Sequence, residues 1–353
     1  MRIAVIVEAI PPFCGGGEQV AWIHATEMAS RHVVTVITFG EQRESSARDG
    51  IRLELLPKPQ RPLTRYCTTH RSLLQSCIEQ VDPAIIHCHM PNVLSLCFRR
   101  RNRLLVHTIH DGTPENEMLG AKFGSRRKWA RFKVVRRLNM ARADAVTCVS
   151  RHNLEVMRGL YPAHAHKMHF VPNPIYDRYF QAPSRGGEDY VLNFGRQISH
   201  KMAALLEAAK LMPELRFVFV GSGEMVRDHG VRNAEFFGFS AEVERFIDGA
   251  AMCVFPSSTE NFPLVGLEAM ARGKPVIASR RGFSEYIEHM KNGFLLDSID
   301  PNEVVSAIRK LQCDADLRRR LGRAGRLTAE QFRPVAVVEK YEQLYESLGL
   351  REG

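Results

Sequence analysis

Two glutamates, Glu260 and Glu268, stand eight residues apart in the segment PSSTENFPLVGLEAMAR (256–272). A helix from about Pro263 to Arg272 is expected, because proline suits a first helical turn, where its missing N–H costs nothing. Such a helix puts Leu264, Leu267 and Ala271 on one face, with Glu268 in the middle of that apolar stripe. A buried polar group without a partner costs roughly 2–7 kcal/mol. Glu268 therefore either pairs with a buried Arg or Lys or serves a ligand. Carboxylates accept paired hydrogen bonds from adjacent hydroxyls, such as those of a ribose or hexose. Ser257, Ser258 and Thr259 offer a cap for the helix, whose N-terminus could hold a phosphate.

Three further segments could handle an anion. PPFCGGGEQV (11–20) follows the first apolar run. Its glycines let the backbone approach a ligand, and the helix after it offers free N–H groups. It lacks the GxGxxG dinucleotide pattern and the GK[ST] ending of a P-loop, so a plain tight turn is an equal reading. In NFGRQISHKMAALLEAA (193–209), Arg196 and Lys201 lie in a loop between a strand ending at Gly195 and a helix. Two cations at a strand's carboxyl end suit a diphosphate, although lone loop cations are commonly solvated. GSGEM (221–225) is another glycine turn at a strand end. In HCH (87–89) only His87 and His89 can share one face of a strand, and with no further partner evident a packing role is favoured over a metal site. Asp314 and Asp316 form a DxD string in a charged helical stretch far from any strand end, and no metal site is expected there.

The elements that must position these residues follow from hydropathy. Apolar β-rich runs at 2–7, 33–38, 51–56, 84–89, 104–109 and 145–150, then at 190–195, 216–221, 234–239, 251–256 and 275–279, alternate with helical patterns such as 18–31 and 71–80. Continuous apolar strands between helices indicate parallel sheets covered on both faces. A chain of 353 residues exceeds one ordinary core, and the pattern restarts after the Pro/Gly/charge-rich stretch APSRGGEDY (182–190). The expected organisation is α/β. One doubly wound domain covers 1–180, a second covers 181–333, and a terminal helix over 334–353 packs back towards the first. Ligands are expected in a cleft between the domains. No apolar run approaches the ~20 residues that span a bilayer. MRIAVIVEAIPPF, short and interrupted by Glu8, reads as a first buried strand rather than a signal peptide. The eight cysteines are scattered without a CxxC pair and read as free thiols in a reducing cytoplasm.

The order of the pieces adds a resemblance. A glycine loop after the first strand, a histidine at a later strand end (HTIHDGTP, 107–114), Gly-Arg-x4-Lys, Gly-x-Gly, and Pro-Ser…Glu, seven residues, Glu-Ala-Met-Ala-x-Gly-x-Pro-Val-Ile-Ala occur in one chain. This resembles the family-four glycosyltransferases, the retaining group with the two-domain GT-B fold. The resemblance covers nearly the whole chain. It is most specific over 190–296, where VFPSSTENFPLVGLEAMARGKPVIAS is followed by Glu285 and NGFLL. It implies two Rossmann-like domains facing a central cleft, and a hexose-type sugar moved from a nucleoside-diphosphate sugar with retention of configuration. By the resemblance Glu268 binds ribose hydroxyls and Glu260 the hydroxyls of the donor sugar. Arg196 and Lys201 hold the diphosphate and neutralise the leaving group. Gly16, Gly17 and the N–H groups near Leu264 and Val265 complete the phosphate cradle, with Gly195, Gly221, Asn261 and Phe262 also at the donor, and His110 lies beside the reacting centre. No cofactor and no metal is implied, since protein cations and helix N-termini do the work of a divalent ion. The chain departs from the family's linker pattern at Pro174, where glycine is commoner, and Gln197 to His200 fall where the family varies freely.

The net charge of +10 is concentrated: residues 99–142 hold 13 basic against 3 acidic residues. KFGSRRKWARFKVVRRLNMAR (122–142) has nine Lys and Arg and no acid, with Trp129, Phe132, Val135 and Leu138 at helical spacing. This segment is either a helix docked on the first sheet with snorkelling cations or an interfacial element. In the second reading Lys122, Arg126, Arg127, Lys128, Trp129, Arg131 and Lys133 meet anionic lipid or an acidic acceptor, at about 1 kcal/mol per basic residue near the surface. The resulting expectation is a cytoplasmic enzyme, peripheral at the inner face of the membrane. It would act on a glycan or lipid-linked acceptor in cell-surface polysaccharide or lipopolysaccharide assembly. A GT-B sugar-nucleotide epimerase and a non-catalytic nucleotide-sugar-binding protein are the competing readings. A nucleic-acid binder lacks any matching motif, and an NAD oxidoreductase lacks the fingerprint.

Overall fold

The computed structural model describes residues 1–11, 15–57, 71–89, 93–96, 98–110, 126–181, 189–224 and 230–349, apart from the side chains of 126–129 and 131. The chain forms two compact units, Met1–Pro174 with Pro334–Gly353, and Ile175–Arg333.

The first unit holds β1 (Arg2–Ile6), α1 (Gly16–Met28), β2 (Val33–Gly40), β3 (Glu44–Arg48), β4 (Ile51–Pro57), α2 (Arg71–Val81), β5 (Ile85–His89), β6 (Leu104–Ile109), α3 (Arg126–Arg142), β7 (Ala145–Cys148), α4 (Arg151–Leu160) and β8 (Met168–Phe170). Its sheet has the order β3-β4-β2-β1-β5-β6-β7-β8. Every pairing is parallel except β3 on β4. Ile3, Ala4, Val5 and Ile6 of β1 are all buried, as a central strand covered on both faces requires. One face packs Ile6, Ile37, Leu56, Leu74, Ile78 and Leu105 into a single cluster. Strands β3 and β8 lie outside the hydropathy pattern for simple reasons. ESSAR is a polar, mostly exposed edge strand, and MHF is three residues long.

The second unit holds β9 (Tyr190–Phe194), α5 (Ser199–Leu211), β10 (Arg216–Val220), β11 (Ala234–Phe237), α6 (Val243–Gly249), β12 (Ala250–Phe255), α7 (Leu264–Ala271), β13 (Val276–Ser279), β14 (Phe294–Leu296), α8 (Pro301–Cys313) and α9 (Ala315–Ala329). Its six strands are all parallel, in the order β11-β10-β9-β12-β13-β14. Met202 and Leu205 from α5, Ile308 and Leu311 from α8, and Phe217, Phe219, Val254 and Ile277 from the sheet share one core. Truncating a side chain such as Phe219, fully buried and stacked on Phe236 at 4.9 Å, costs about 3–5 kcal/mol. The chain then returns to the first unit with α10 (Pro334–Ser347), which packs on α1 and buries Tyr341 and Tyr345.

Two local expectations are corrected. Pro263 is the N-cap of α7 rather than a first-turn residue, and no side chain caps that helix; the Ser257 hydroxyl instead donates to the carbonyl of Thr259. Gly266 through Ala271 are all buried, so α7 has no single apolar stripe and Glu268 is enclosed from every side. Asp314 of the DxD string is the N-cap of α9, accepting from Leu317 N–H at 2.8 Å. Among the described residues no helix is long and apolar enough to cross a membrane, and the five described cysteines are free.

Candidate functional site

In the second sheet β9 lies between β10 and β12, so the strand order reverses there. Open parallel sheets bind ligands at the carboxyl ends of the strands flanking such a switch point. The loops after β9, β10 and β12 carry Gly195 and Arg196, Gly221, and Glu260 respectively.

These loops are locked together. Gly195 N–H donates to Val220 O at 3.0 Å, and Gln197 N–H to Ser222 O at 3.0 Å. Gln197 is fully buried, and its Nε2 reaches Asn193 Oδ1, Gly195 O and Val220 O at 3.0–3.3 Å. The position read as freely variable is therefore the brace of the loop. Gly221 has φ +141°, and a Cβ there would lie 1.8 Å from Gly195 O, so only glycine lets the two loops meet.

Lys201 sits in the first turn of α5, not in the loop before it, and its Nζ lies 2.6 Å from Glu260 Oε1. Arg196 is exposed and joins no ion pair among the described residues. Ser258 N–H donates to His200 O at 2.9 Å and the Ser279 hydroxyl to Ser257 O at 2.6 Å, which ties the segment before Glu260 to α5 and β13. Gly282 backs Glu260 closely: a Cβ at 282 would come within 2.9 Å of the Glu260 Cβ. Asn261 is half-buried, and Phe262 packs edge-on against Tyr286. Tyr286 in turn donates its hydroxyl to Pro263 O at 2.6 Å, fixing the start of α7. Leu264 and Val265 open that helix, where backbone N–H groups lack intrahelical acceptors.

Glu268 is 7% exposed, and burial pushes its carboxyl up to about 7. The charge of Arg178 and a hydrogen bond from the Tyr179 hydroxyl oppose that rise. Arg178 does not close on Glu268; its Nε lies 2.6 Å from Glu244 Oε1. Among the described residues Glu268 forms no ion pair. The contrast is Arg272, four residues on, whose guanidinium is bonded to the buried Asp248, with Nε 2.8 Å from Oδ1. The fold thus completes one buried ion pair beside Glu268 and leaves Glu268 with acceptor capacity to spare. Tyr179, Gln197 and Gly282 are site residues that motif reading missed.

In the first unit Gly16 and Gly17 form the first turn of α1, directly after Gly15 at its N-cap, and no side chain caps them. β1 lies between β2 and β5, the switch point of that sheet. His110 follows β6 and is half-buried, with Nε2 3.0 Å from His89 Nδ1. His87 and His89 do share one face, and a third histidine joins them. His24 of α1 joins His87 and His89, and one nitrogen from each lies within 4.8 Å of the others. All three are buried, and burial holds their pKa values low, that of His24 at about 3.

Lys122 lies outside the described residues, and of Arg126, Arg127, Lys128, Trp129 and Arg131 only the helical backbone is described. Lys133 is exposed, as are Val134 and Leu138, while Asn139 and Met140 are buried. The described part of α3 therefore docks through Asn139 and Met140 rather than through the expected stripe ending at Leu138. Nearby charge is partly paired, Arg101 with Glu79 at 2.7 Å and Arg103 with Asp82 at 3.0 Å. Arg71, Phe98, Arg99, Arg100, Ala141 and Arg142 line a cavity of about 410 Å³.

Comparison with known proteins agrees with this architecture. The family described as "Glycosyltransferase Family 4" matches residues 14–178, and "Glycosyl transferases group 1" matches residues 188–314. A Bacillus subtilis protein bearing the glycosyltransferase name EpsD is 26% identical over 305 residues, 77% of this chain and 78% of its own. The Rhizobium meliloti lipopolysaccharide core biosynthesis glycosyltransferase LpsE is 30% identical over 168 residues, 44% of this chain and 49% of its own. Sucrose-phosphate synthase from Thermosynechococcus elongatus superposes with TM-score 0.80 at 20% identity, covering 98% of both chains. Anabaena HepE, crystallised with UDP-glucose, superposes with TM-score 0.76 at 19% identity, covering 98% of this chain and 99% of its own.

Proposed function

This chain belongs to the group 1, family-four glycosyltransferases with the GT-B fold, and we propose that it moves a hexose-type sugar from a nucleoside-diphosphate donor to a glycan or lipid-linked acceptor, retaining the anomeric configuration. The observation that carries this reading is Glu268, a buried carboxylate placed beside the switch point with a single hydroxyl partner and no ion pair among the described residues. Paired ribose hydroxyls supply the donors it lacks. Arg196 and the first-turn Lys201 take the diphosphate together with the open N–H groups of α7. Binding of the phosphates draws Lys201 away from Glu260, which then accepts from the hydroxyls of the sugar. The family resemblance adds Gly16 and Gly17 of the first unit to the phosphate cradle and gives His110 a place beside the reacting centre.

In the reaction the anomeric C–O bond to the diphosphate breaks with oxocarbenium character. Arg196 and Lys201 stabilise the negative charge on the departing oxygen, and the acceptor hydroxyl attacks from the same face, passing its proton to a phosphate oxygen of the leaving diphosphate. Protein cations and helix N–H groups supply this stabilisation without a metal or other cofactor.

The name of LpsE supports a role in lipopolysaccharide or related cell-surface polysaccharide assembly, and the UDP-glucose complex of HepE makes UDP-glucose the first donor to try. The basic face around α3 suits a cytoplasmic enzyme that rests on anionic lipid at the inner membrane face, and nucleic acid is not a partner. Proton NMR of the products tests the chemistry. Transfer to an acceptor, or slow donor hydrolysis, with the anomeric configuration retained supports the reading. An isomerised nucleotide sugar indicates an epimerase, and no turnover with any donor indicates a binding protein.

A further inference from the structure

The cavity of about 410 Å³ in the first unit collects guanidinium groups and no carboxylate. Arg71 comes from α2, Arg99 and Arg100 from the segment before β6, and Arg142 from the end of α3. Arg100 and Arg142 are held in place. Arg100 is bonded to the Asp144 carboxylate and donates to Arg142 O at 3.2 Å, and Arg142 donates to Phe98 O at 2.7 Å. Arg71 and Arg99 are exposed and join no ion pair among the described residues. The acids of α2 and its end are engaged elsewhere, Glu79 by Arg101 and Asp82 by Arg2 and Arg103. Neighbours feel the surplus of positive charge: His107 is lowered to about 3 by burial, and the charges of Arg142 and Lys167 add to that. A guanidinium can only donate, so the ligand must accept, and phosphate oxygens take its N–H groups in pairs.

A second feature runs up to the same place. Val134, Leu138 and Ala141 of α3 are spaced four and three residues apart, which puts them on one face. All three are exposed, Val134 at 58% and Leu138 at 49%, and Ala141 is part of the cavity wall. An apolar strip that ends at an arginine-lined cavity matches a molecule whose phosphate is joined to alkyl chains. The arginines of the cavity floor lie where the chain enters β6 and β7, whereas His110 and the glycine segment follow the opposite ends of β6 and β1. The cavity is therefore a different place in the fold from the segments that the family resemblance assigns to the donor.

We propose that this cavity binds the phosphate ester of a membrane lipid headgroup, with the alkyl chains laid against Val134 and Leu138. The phosphate site stands on the cavity and its arginines; the lipid as its occupant rests on the reading that the basic face meets anionic lipid.

Two measurements on the full chain test the two parts. In thermal unfolding, glycerol phosphate is compared with sodium chloride of equal ionic strength. The wild type is expected to gain Tm, and Arg71→Ala/Arg99→Ala, which changes two exposed side chains, to gain markedly less. A phosphate taken up elsewhere in the chain shifts both proteins alike, so an equal response overturns the site, as does no response in the wild type. In flotation with phosphatidylglycerol vesicles at low salt, the double variant is expected to bind about tenfold more weakly than the wild type. Glycerol phosphate should displace the wild type better than the matched salt, and Leu138→Ser should lower recovery while keeping the response to glycerol phosphate. Equal binding of variant and wild type overturns the lipid occupant. Displacement no better than by salt does the same, reducing the contact to general charge attraction, and it needs no variant. A wild type that ignores vesicles but answers to glycerol phosphate through Arg71 and Arg99 refutes the membrane reading and leaves a site for a soluble phosphate ester.

Discussion

Glu268→Gln should make the free protein more stable at alkaline pH while destroying its donor site. The native carboxyl holds its proton to about 7, against 4.5 for the ordinary side chain, whereas the unfolded chain releases it near the ordinary value. Between these pH values the native state binds more protons than the unfolded state, so the contribution of this residue to stability falls as pH rises and levels off above about 7. The full cost amounts to about 3 kcal/mol, at 1.36 kcal/mol for each pH unit between the two values. Glutamine keeps an oxygen for the Tyr179 hydroxyl and carries no charge to bury. Urea unfolding of both proteins at pH 5 and pH 8.5 isolates the effect, since every other titrating group is common to both. The variant should gain little at pH 5 and up to about 3 kcal/mol at pH 8.5. A difference that does not change with pH, or a wild type that is the more stable at pH 8.5, would refute the claim that this carboxyl is buried at a cost.

Other consequences can be checked independently. The depressed histidines act in the opposite sense: His24 and His107 titrate near 3 in the native state, so stability is present above pH 6.5 and is lost as pH falls below it. An unfolding midpoint in urea that stays flat from pH 7 to pH 5 would contradict this. Gly221→Ala should cost more than about 2 kcal/mol, because its Cβ meets the carbonyl of Gly195 at 1.8 Å and its φ is positive; wild-type stability in denaturant titration would contradict the interlocked loops. Lys201→Ala should lower kcat by about 100-fold or more while circular dichroism shows a folded protein, and near-normal turnover would remove Lys201 from the diphosphate site. In flotation at low salt the protein should favour anionic over neutral vesicles, and equal recovery would leave α3 as a docked helix with snorkelling cations.

Most of the fold is written in local patterns that one sequence displays. Strands β1, β2, β4, β5, β6, β7, β9, β10, β12 and β13 are short, largely apolar runs, which only a covered parallel sheet can bury. The glycine turns, Arg196, Lys201, Glu260 and Glu268 could be singled out because each follows a strand or interrupts an apolar face. The braces could not. Gln197 acts on carbonyls brought by β9 and β10, Gly282 is pressed on Glu260 from beyond β13, and Tyr179 reaches Glu268 from 89 residues upstream. None of these contacts leaves a periodic trace. The HCH alternation showed two histidines on one face, but His24 arrives on a helix and His110 through the pairing of β5 with β6. The cap of α7 was also out of reach of the local pattern, since Pro263, which carries no capping oxygen, takes the N-cap position while the Ser257 hydroxyl donates to the carbonyl of Thr259.

The central claim is a nucleotide-sugar site built around Glu268, and thermal unfolding with a panel of nucleoside-diphosphate sugars tests it most directly. A ligand present at 100 times its Kd stabilises the native state by about 2.7 kcal/mol. At least one donor, with UDP-glucose tried first, should raise the Tm of the wild type by several degrees and leave that of Glu268→Gln in place. A panel in which no donor raises the wild-type Tm, or in which Glu268→Gln responds equally, would contradict the account.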